Sequence, residues 1–268
     1  MSTSARVPVL MYHQVADAGP ANRSPYCVSP ERFRSHMTRL ADHGYRAVPL
    51  ESLLAWLEGG PPLAQGDFVL TFDDGFCSVR DHALPVLERL GWPCAVFVVT
   101  DLLGGVDSWN VPPDAATAAQ AALLTADELL EMRSRGCEIH SHTRTHRSLP
   151  QLDDEDLNAE LTGSREALVK LLGAGEYCLA YPFGRVDERV RCAAVAAGYR
   201  AALSVQPGFN RQDVDRYQIR RIDVVGHDSD TALLRKIQLG TNDGSLRHWA
   251  TYRFRQAIAR LQPRPSLG

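Results

Sequence analysis

The segment TADELLEMRSRGCEIHS, residues 125–141, contains the unit from which the fold is read. Thr125 with Glu128 three positions on forms a capping box, in which each side chain takes a backbone N–H at the start of a helix. That spacing predicts a helix over 125–135. Gly136 then supplies the left-handed residue that ends a helix, and CEIHS is a short, mostly apolar strand. The same order of helix, glycine and strand recurs at Gly44, Gly91 and Gly198. Further helices are predicted over 30–43, 78–90, 153–172, 186–197 and 229–239. In the longest of these, Leu157, Leu161, Leu168 and Leu172 form an apolar stripe behind an acidic first turn that suits the helix dipole. Strands are predicted over 7–12, 67–72, 94–100, 137–141, 177–181, 199–204 and 217–224. Most are apolar on both faces, as strands of a parallel sheet covered by helices are. Such α/β alternation leaves an open doubly wound sheet or a (β/α) barrel. No G-x-G-x-x-G follows the first strand, which weighs against a dinucleotide-binding sheet.

The chain has 268 residues, with 29 Lys and Arg against 32 Asp and Glu, a formal charge of 29 − 32 = −3. One domain over 1–268 is expected, with a core at about 7–240 and a C-terminal helix or tail at 241–268. With no basic field, neither nucleic acid nor an anionic membrane is an expected partner. No run approaches the ~18 apolar residues of a membrane span. The stretch MSTSARVPVLMYHQ is too short in apolar residues for a signal-peptide core, so a cytoplasmic location is expected. Oligomeric state is not legible. The six cysteines are scattered without a C-x-x-C pair, and Cys94, Cys137 and Cys178 open buried strands; reduced, packed thiols are expected. Cys77, three residues after Asp74, lies near enough in sequence to touch a site there.

The chemistry starts at VLTFDDGF, 69–76, where Asp73 and Asp74 end an apolar run. A lone Asp before a glycine is a turn signal, but two adjacent carboxylates repel unless something cationic holds them. EIHSHTRTHRSL places His140, His142 and His146 at the end of another strand. Two imidazoles and one carboxylate make a divalent-metal shell with open positions, and either Asp73 or Asp74 can be the third ligand. The remaining carboxylate can then accept a proton from water that the cation has acidified. LAYPFGRVDERV reads as a turn after a strand, or as a rigid strand end whose Phe183 N–H points at a developing oxyanion. His13, at the end of the first strand, is either a structural histidine or an acid for a leaving amine or alcohol. The long loops 16–27 and 102–122 break the rhythm. The second is a candidate substrate wall, in which Asp107, Trp109 and Asn110 can meet a sugar or Trp109 can anchor its own loop.

These residues resemble the NodB-homology polysaccharide deacetylases, carbohydrate esterase family four, over about residues 7–240. TFDDG (71–75) looks like the family's first motif, HTRTH (142–146) like its H-[ST]-x-x-H motif, and YPFG (181–184) like the end of its R-P-P-Y-G motif. The resemblance implies a distorted (β/α)₇ barrel and metal-dependent removal of acetyl groups from N-acetylated sugars. It implies Asp73 as general base, Asp74, His142 and His146 as metal ligands, and the Phe183 N–H as oxyanion donor, with Tyr181, Pro182 and Trp109 as sugar contacts. Zinc is the default ion, with iron, cobalt or nickel also suited to the ligand set. Two positions depart from the pattern: Ala180 stands where the family carries the arginine that orients the base, and no late L-x-L-H motif occurs. The sequence is similar instead to the circularly permuted branch of poly-N-acetylglucosamine deacetylases, whose early Y-H motif makes His13 the general acid. His140, two residues before His142, is left as a partner behind the ligands or a pocket wall.

The expected function is therefore metal-dependent deacetylation of an N-acetylhexosamine unit of a saccharide or glycoconjugate. The alternatives are an O-acetyl esterase on the same site and a non-catalytic glycan-binding domain, to which the missing arginine lends weight. A two-carboxylate glycosidase is disfavoured, because it gives the histidine pair no role.

Overall fold

The computed structural model describes residues 6–17, 24–109 and 121–251. In chain order its elements are β1 (Val9–Tyr12), β2 (Gln14–Val15), β3 (Cys27–Val28), α1 (Pro30–Asp42), β4 (Arg46–Ala47) and α2 (Leu50–Leu57). There follow β5 (Asp67–Phe72), α3 (Leu84–Leu90), β6 (Cys94–Val98), α4 (Ala126–Ser134), β7 (Cys137–Ser141) and α5 (Asp154–Leu172). The last are β8 (Cys178–Ala180), α6 (Glu188–Ala196), β9 (Ala201–Leu203), β10 (Ile222–Asp223) and α7 (Asp230–Leu239). The main sheet runs β10-β1-β5-β6-β7-β8-β9, with β4 also on β5, and every pair in it is parallel. Leu203, at the end of β9, bridges in parallel to Ile219, just ahead of β10. The two edges are thus drawn together, and the curled sheet with its helices is the distorted (β/α) barrel that the sequence implies.

Alternation along each strand divides the apolar residues between two cores. Leu10, Tyr12, Phe68, Leu70, Phe72, Val96 and Leu179 face outward and pack with Phe33, Met37, Leu161 and Leu168 of the helices. Val9, Val69, Ala95, Phe97, Ala180, Ala201 and Leu203 face inward. The inward alanines are small enough to leave room for a long polar side chain inside the barrel.

One helix has no counterpart in the sequence reading. α2 sends Leu50, Leu53, Leu54 and Trp56 into the inner core and closes the N-terminal end of the barrel. Its N-cap, Pro49, makes no side-chain bond. The Glu138 carboxylate on β7 accepts from the N–H groups of Leu50 and Glu51 instead, at 2.7 and 2.9 Å. A cap supplied from so far along the chain leaves no local signature. The helix expected over 78–90 begins as a wide π-type turn, Val79–Ala83, before α3. Pro85 has no N–H to give to an α-helical bond, which accounts for the irregular entry.

Gly91 ends α3 with φ 65°, and Gly44, Gly136 and Gly198 are also left-handed, as their place between helix and strand requires. All six cysteines are free thiols. Cys94 and Cys137 are buried register partners on β6 and β7. Of the C-terminal segment 241–268, residues 246–251 are helical and 252–268 lie outside the described residues. Among the described residues no helix is long and apolar enough to cross a membrane.

Candidate active site

Four non-glycine residues hold a left-handed backbone among the described residues: Asp74 (φ 72°), Thr143 (66°), His146 (62°) and Phe183 (57°). All four come from the three motifs at the C-terminal ends of β5, β7 and β8. Such a conformation costs on the order of 1 kcal/mol or more for a residue with a Cβ, and a cluster of them marks a place where geometry matters more than stability. At Asp74 the reason is direct. Alternation would send Asp73 and Asp74 to opposite faces of the sheet, and the left-handed turn returns Asp74 to the mouth that Asp73 already faces.

Asp74, His142 and His146 are buried, and their ligand atoms lie within 4.8 Å of one another. The Nε2 atoms of His142 and His146 are 3.4 and 3.3 Å from the same oxygen, Asp74 Oδ1. His142 Nδ1 donates to the Ala180 carbonyl at 2.8 Å, so the proton of the neutral imidazole sits on Nδ1 and the Nε2 lone pair faces the carboxylate. Lone pairs of a carboxylate and two imidazoles turned on one another require a cation between them, and the donor set suits a divalent ion. Burial opposes ionisation of Asp74, but the two imidazoles beside it, with His13, hold its carboxyl well below the usual carboxylate range. Burial also presses down on both imidazoles. His142 nevertheless ends raised by the carboxylates of Asp74 and Asp73 beside it, while His146 ends lowered.

Asp73 is held differently. Arg221, fully buried inside the barrel, donates Nη1 to Asp73 Oδ1 at 2.7 Å and Nη2 to Oδ2 at 2.8 Å, a bidentate pair. Its Nε donates to the Ser204 carbonyl at 2.9 Å, which fixes the plane of the fork. Burial raises the Asp73 carboxyl, and Arg221, with His142 and His13, more than reverses that. The arginine absent at position 180 on β8 is thus replaced by one just ahead of β10, which meets Asp73 from the other side of the barrel. The sequence carried a signal for it. YQIRRIDV, 217–224, is the last predicted strand, and a charged residue buried in such a strand must find a partner.

The polysaccharide deacetylase family model matches residues 61–202, just over half of the chain. The chain belongs to the polysaccharide deacetylase family. It is 28% identical to YxkH of Bacillus subtilis over 221 residues, which cover 82% of this chain and 72% of that one. It is 25% identical to the poly-β-1,6-N-acetyl-D-glucosamine N-deacetylase of Staphylococcus epidermidis over 247 residues, 85% of this chain and 81% of that one. Among solved structures it resembles the Streptococcus pyogenes deacetylase PplD in complex with acetate. The TM-score is 0.75 at 25% identity, covering 88% of this chain and 99% of that one.

In this deacetylase the two acids and two histidines open into a pocket of about 470 Å³, lined also by His13, Tyr26, Trp109 and Asp223. The His13 ring lies tilted against that of Tyr26, ring centroids 4.5 Å apart, so Tyr26 reaches the site, a contact the sequence did not suggest. Trp109 lies close to parallel with the His146 ring at 4.1 Å, and its backbone N–H donates to Asp107 Oδ1 at 3.0 Å. One face of the indole therefore braces a histidine and is closed to a sugar. Asn110 lies outside the described residues. Phe183 is half exposed at the rim, edge-on to His146 at 4.6 Å. Its N–H takes no part in the two bonds that close its turn, Gly184 to Tyr181 and Arg185 to Pro182. Gly184, at φ 64°, cannot carry a side chain, because a Cβ would lie 2.1 Å from Val205.

Two expectations are corrected, Pro182 as a sugar contact and His140 as a pocket wall. Pro182 is buried and does not line the pocket; it opens the turn. Tyr181 lines the pocket, and its hydroxyl donates to the Tyr217 carbonyl. His140 is no pocket wall: it packs on Phe97 inside the barrel, its Nδ1 accepts from the Cys178 N–H at 3.2 Å, and burial pushes its pKa down to about 4. Cys77 also lies off the pocket, with its thiol toward Glu128.

The HTRTH loop is held from behind by Glu160 of α5. This buried carboxylate accepts from the N–H groups of Arg144 and Thr145, each at 3.0 Å, and from the Thr145 hydroxyl. Groups that orient metal ligands typically matter ~10–100-fold in affinity. Glu160→Ala is therefore expected to weaken divalent-ion binding by about that factor, read by competition with a chromophoric chelator, in a protein that keeps its circular dichroism.

Proposed function

We propose that the deacetylase removes acetyl groups from N-acetylhexosamine units of a saccharide or glycoconjugate. The observation that carries this reading is the separation of the two acids within one pocket. Asp74 converges with His142 and His146, while Asp73, held ionised by Arg221, is free of that convergence. Asp74, His142 and His146 would hold the divalent ion, with zinc as the default. Asp73 is the general base and His13 the general acid. A carboxylate held this low is a weak base, which a divalent ion bound at the triad would offset by supplying Lewis acidity toward water and the acetyl carbonyl.

In the reaction Asp73 takes a proton from water as the water oxygen bonds to the acetyl carbon. The Phe183 N–H donates to the carbonyl oxygen as charge builds there. His13 gives its proton to the nitrogen as the C–N bond breaks, leaving a sugar amine and acetic acid, which ionises to acetate in solvent. Asp73 and His13 then exchange the surplus proton through solvent. The non-catalytic alternative drew its weight from the missing arginine, and Arg221 removes that support.

The test is acetate release by metal-loaded protein from N-acetylglucosamine oligomers and from O-acetylated xylo-oligomers. The reading predicts faster release from the N-acetyl substrate. Faster release from the O-acetyl substrate would make the protein an esterase, and release from neither would return the binding-domain alternative.

A further inference from the structure

Behind His13 and Asp223 lies a buried polar cluster that the chemistry above does not use. Tyr12, which precedes His13, donates its hydroxyl to His36 Nδ1 at 3.1 Å, and His36 Nε2 donates to the Asp228 carbonyl at 2.9 Å. Both side chains are fully buried, and burial lowers the pKa of His36, so its imidazole is neutral with the proton on Nε2. The Asp228 carboxylate accepts from Lys236 Nζ at 2.5 Å and from the Val225 N–H at 2.9 Å. Lys236 and Asp228 are 3% and 4% exposed, so this is an ion pair taken wholly out of water. Removing one partner of such a pair is strongly destabilising, whereas replacing both by apolar groups often is not. Stability alone therefore gives this pair no reason to be charged.

The second bond of Lys236 supplies one. Its Nζ also donates to the carbonyl of Asp223 at 3.0 Å, while the Asp223 N–H is taken by Asn242 Oδ1 at 2.9 Å. Asp223 is thus gripped at both ends of its backbone, and it lines the pocket together with His13. Its Oδ1 and His13 Nδ1 are both buried and without a partner among the described residues. The cluster ties α1, α7, the end of β1 and the turn after β10 into one unit beside those two residues.

The geometry points to Lys236 and Asp228 as positioning residues for proton delivery to the leaving group. They fix Asp223 through its carbonyl and hold the His13 end of β1 through His36 and Tyr12. The inference rests on the reading of His13 as general acid. Lys236 and Asp228 touch no substrate and act only through these neighbours.

A leaving-group comparison on the metal-loaded full chain tests it. An N-acetylglucosamine oligomer needs its departing amine protonated, whereas para-nitrophenyl acetate departs as a stable phenolate and does not. Lys236→Met keeps the length of the side chain and removes the donor. Because general acid catalysis contributes ~10²–10⁴-fold, a misplaced acid is expected to lower kcat on the oligomer by about tenfold at unchanged KM. Hydrolysis of the nitrophenyl ester should stay within about twofold. The Lys236→Met/Asp228→Leu pair, which leaves no unpaired charge, should show the same split. Should Lys236→Met not fold, Asn242→Ala removes the grip on the Asp223 N–H and carries the same comparison. An equal loss on both substrates, or no loss on either, overturns the inference. His13→Ala is the reference: if it lowers both substrates equally, the acid reading itself fails and the inference falls with it. A selective His13→Ala beside an unselective Lys236→Met defeats the inference alone.

Discussion

Arg221→Leu is expected to destabilise the protein by about 3–5 kcal/mol, the range for removing one partner of a buried ion pair. It should also lower the rate of acetate release by roughly 100-fold or more through the base it leaves behind. Leucine fills much of the space but leaves the Asp73 carboxylate inside the barrel without the two bonds at 2.7 and 2.8 Å that hold it ionised. In the wild type the folded-state pKa of Asp73 is depressed. Its contribution to stability is therefore present above the unfolded carboxylate value and is lost as pH falls through the folded one. Without Arg221, burial dominates and the pKa rises. The residual activity should then climb with pH where the wild type is flat, because only the ionised form accepts a proton. Urea unfolding and a pH series of acetate release measure the two effects. If the base needs an arginine and not a particular strand to supply it, Ala180→Arg in the Arg221→Leu background should recover part of the lost rate. Position 180 faces the same interior.

Asp73→Asn is expected to lower kcat by ~10²–10⁴-fold, the usual contribution of a positioned general base. It should also cost stability, because Arg221 then sits fully buried with the Ser204 carbonyl at 2.9 Å and the Thr71 hydroxyl at 3.4 Å as its other acceptors. Losing a charged partner of this kind costs on the order of 1–3 kcal/mol. The two effects separate in an assay. Unfolding reports the orphaned guanidinium, and turnover per folded molecule reports the missing base.

The repeated order of helix, glycine and strand was legible because each of its signals is local. A capping box lies within four residues, a left-handed glycine is one residue, and a buried strand is a short apolar run. α2 escaped for the opposite reason, since Glu138 caps it from across the barrel. The convergence of Asp74, His142 and His146 was legible because His142 and His146 share one loop and the acid pair is adjacent in sequence. Arg221 was not, because its partner lies 148 positions away and only the closure of the barrel brings them together. Its charge within a buried strand was the sign available. Trp109 shows a different limit. Its residue type allowed either sugar stacking or anchorage, and only the ring placed against His146 shows which face is already taken.

The central claim is the division between the adjacent acids, Asp74 to the ion and Asp73 to the proton. Calorimetric titration of the metal-free Asp73→Asn and Asp74→Asn proteins with zinc tests it most directly. The account predicts that Asp73→Asn binds one ion with close to wild-type affinity while remaining inactive, and that Asp74→Asn loses the binding. Loss of the ion by Asp73→Asn, or its retention by Asp74→Asn, would contradict it.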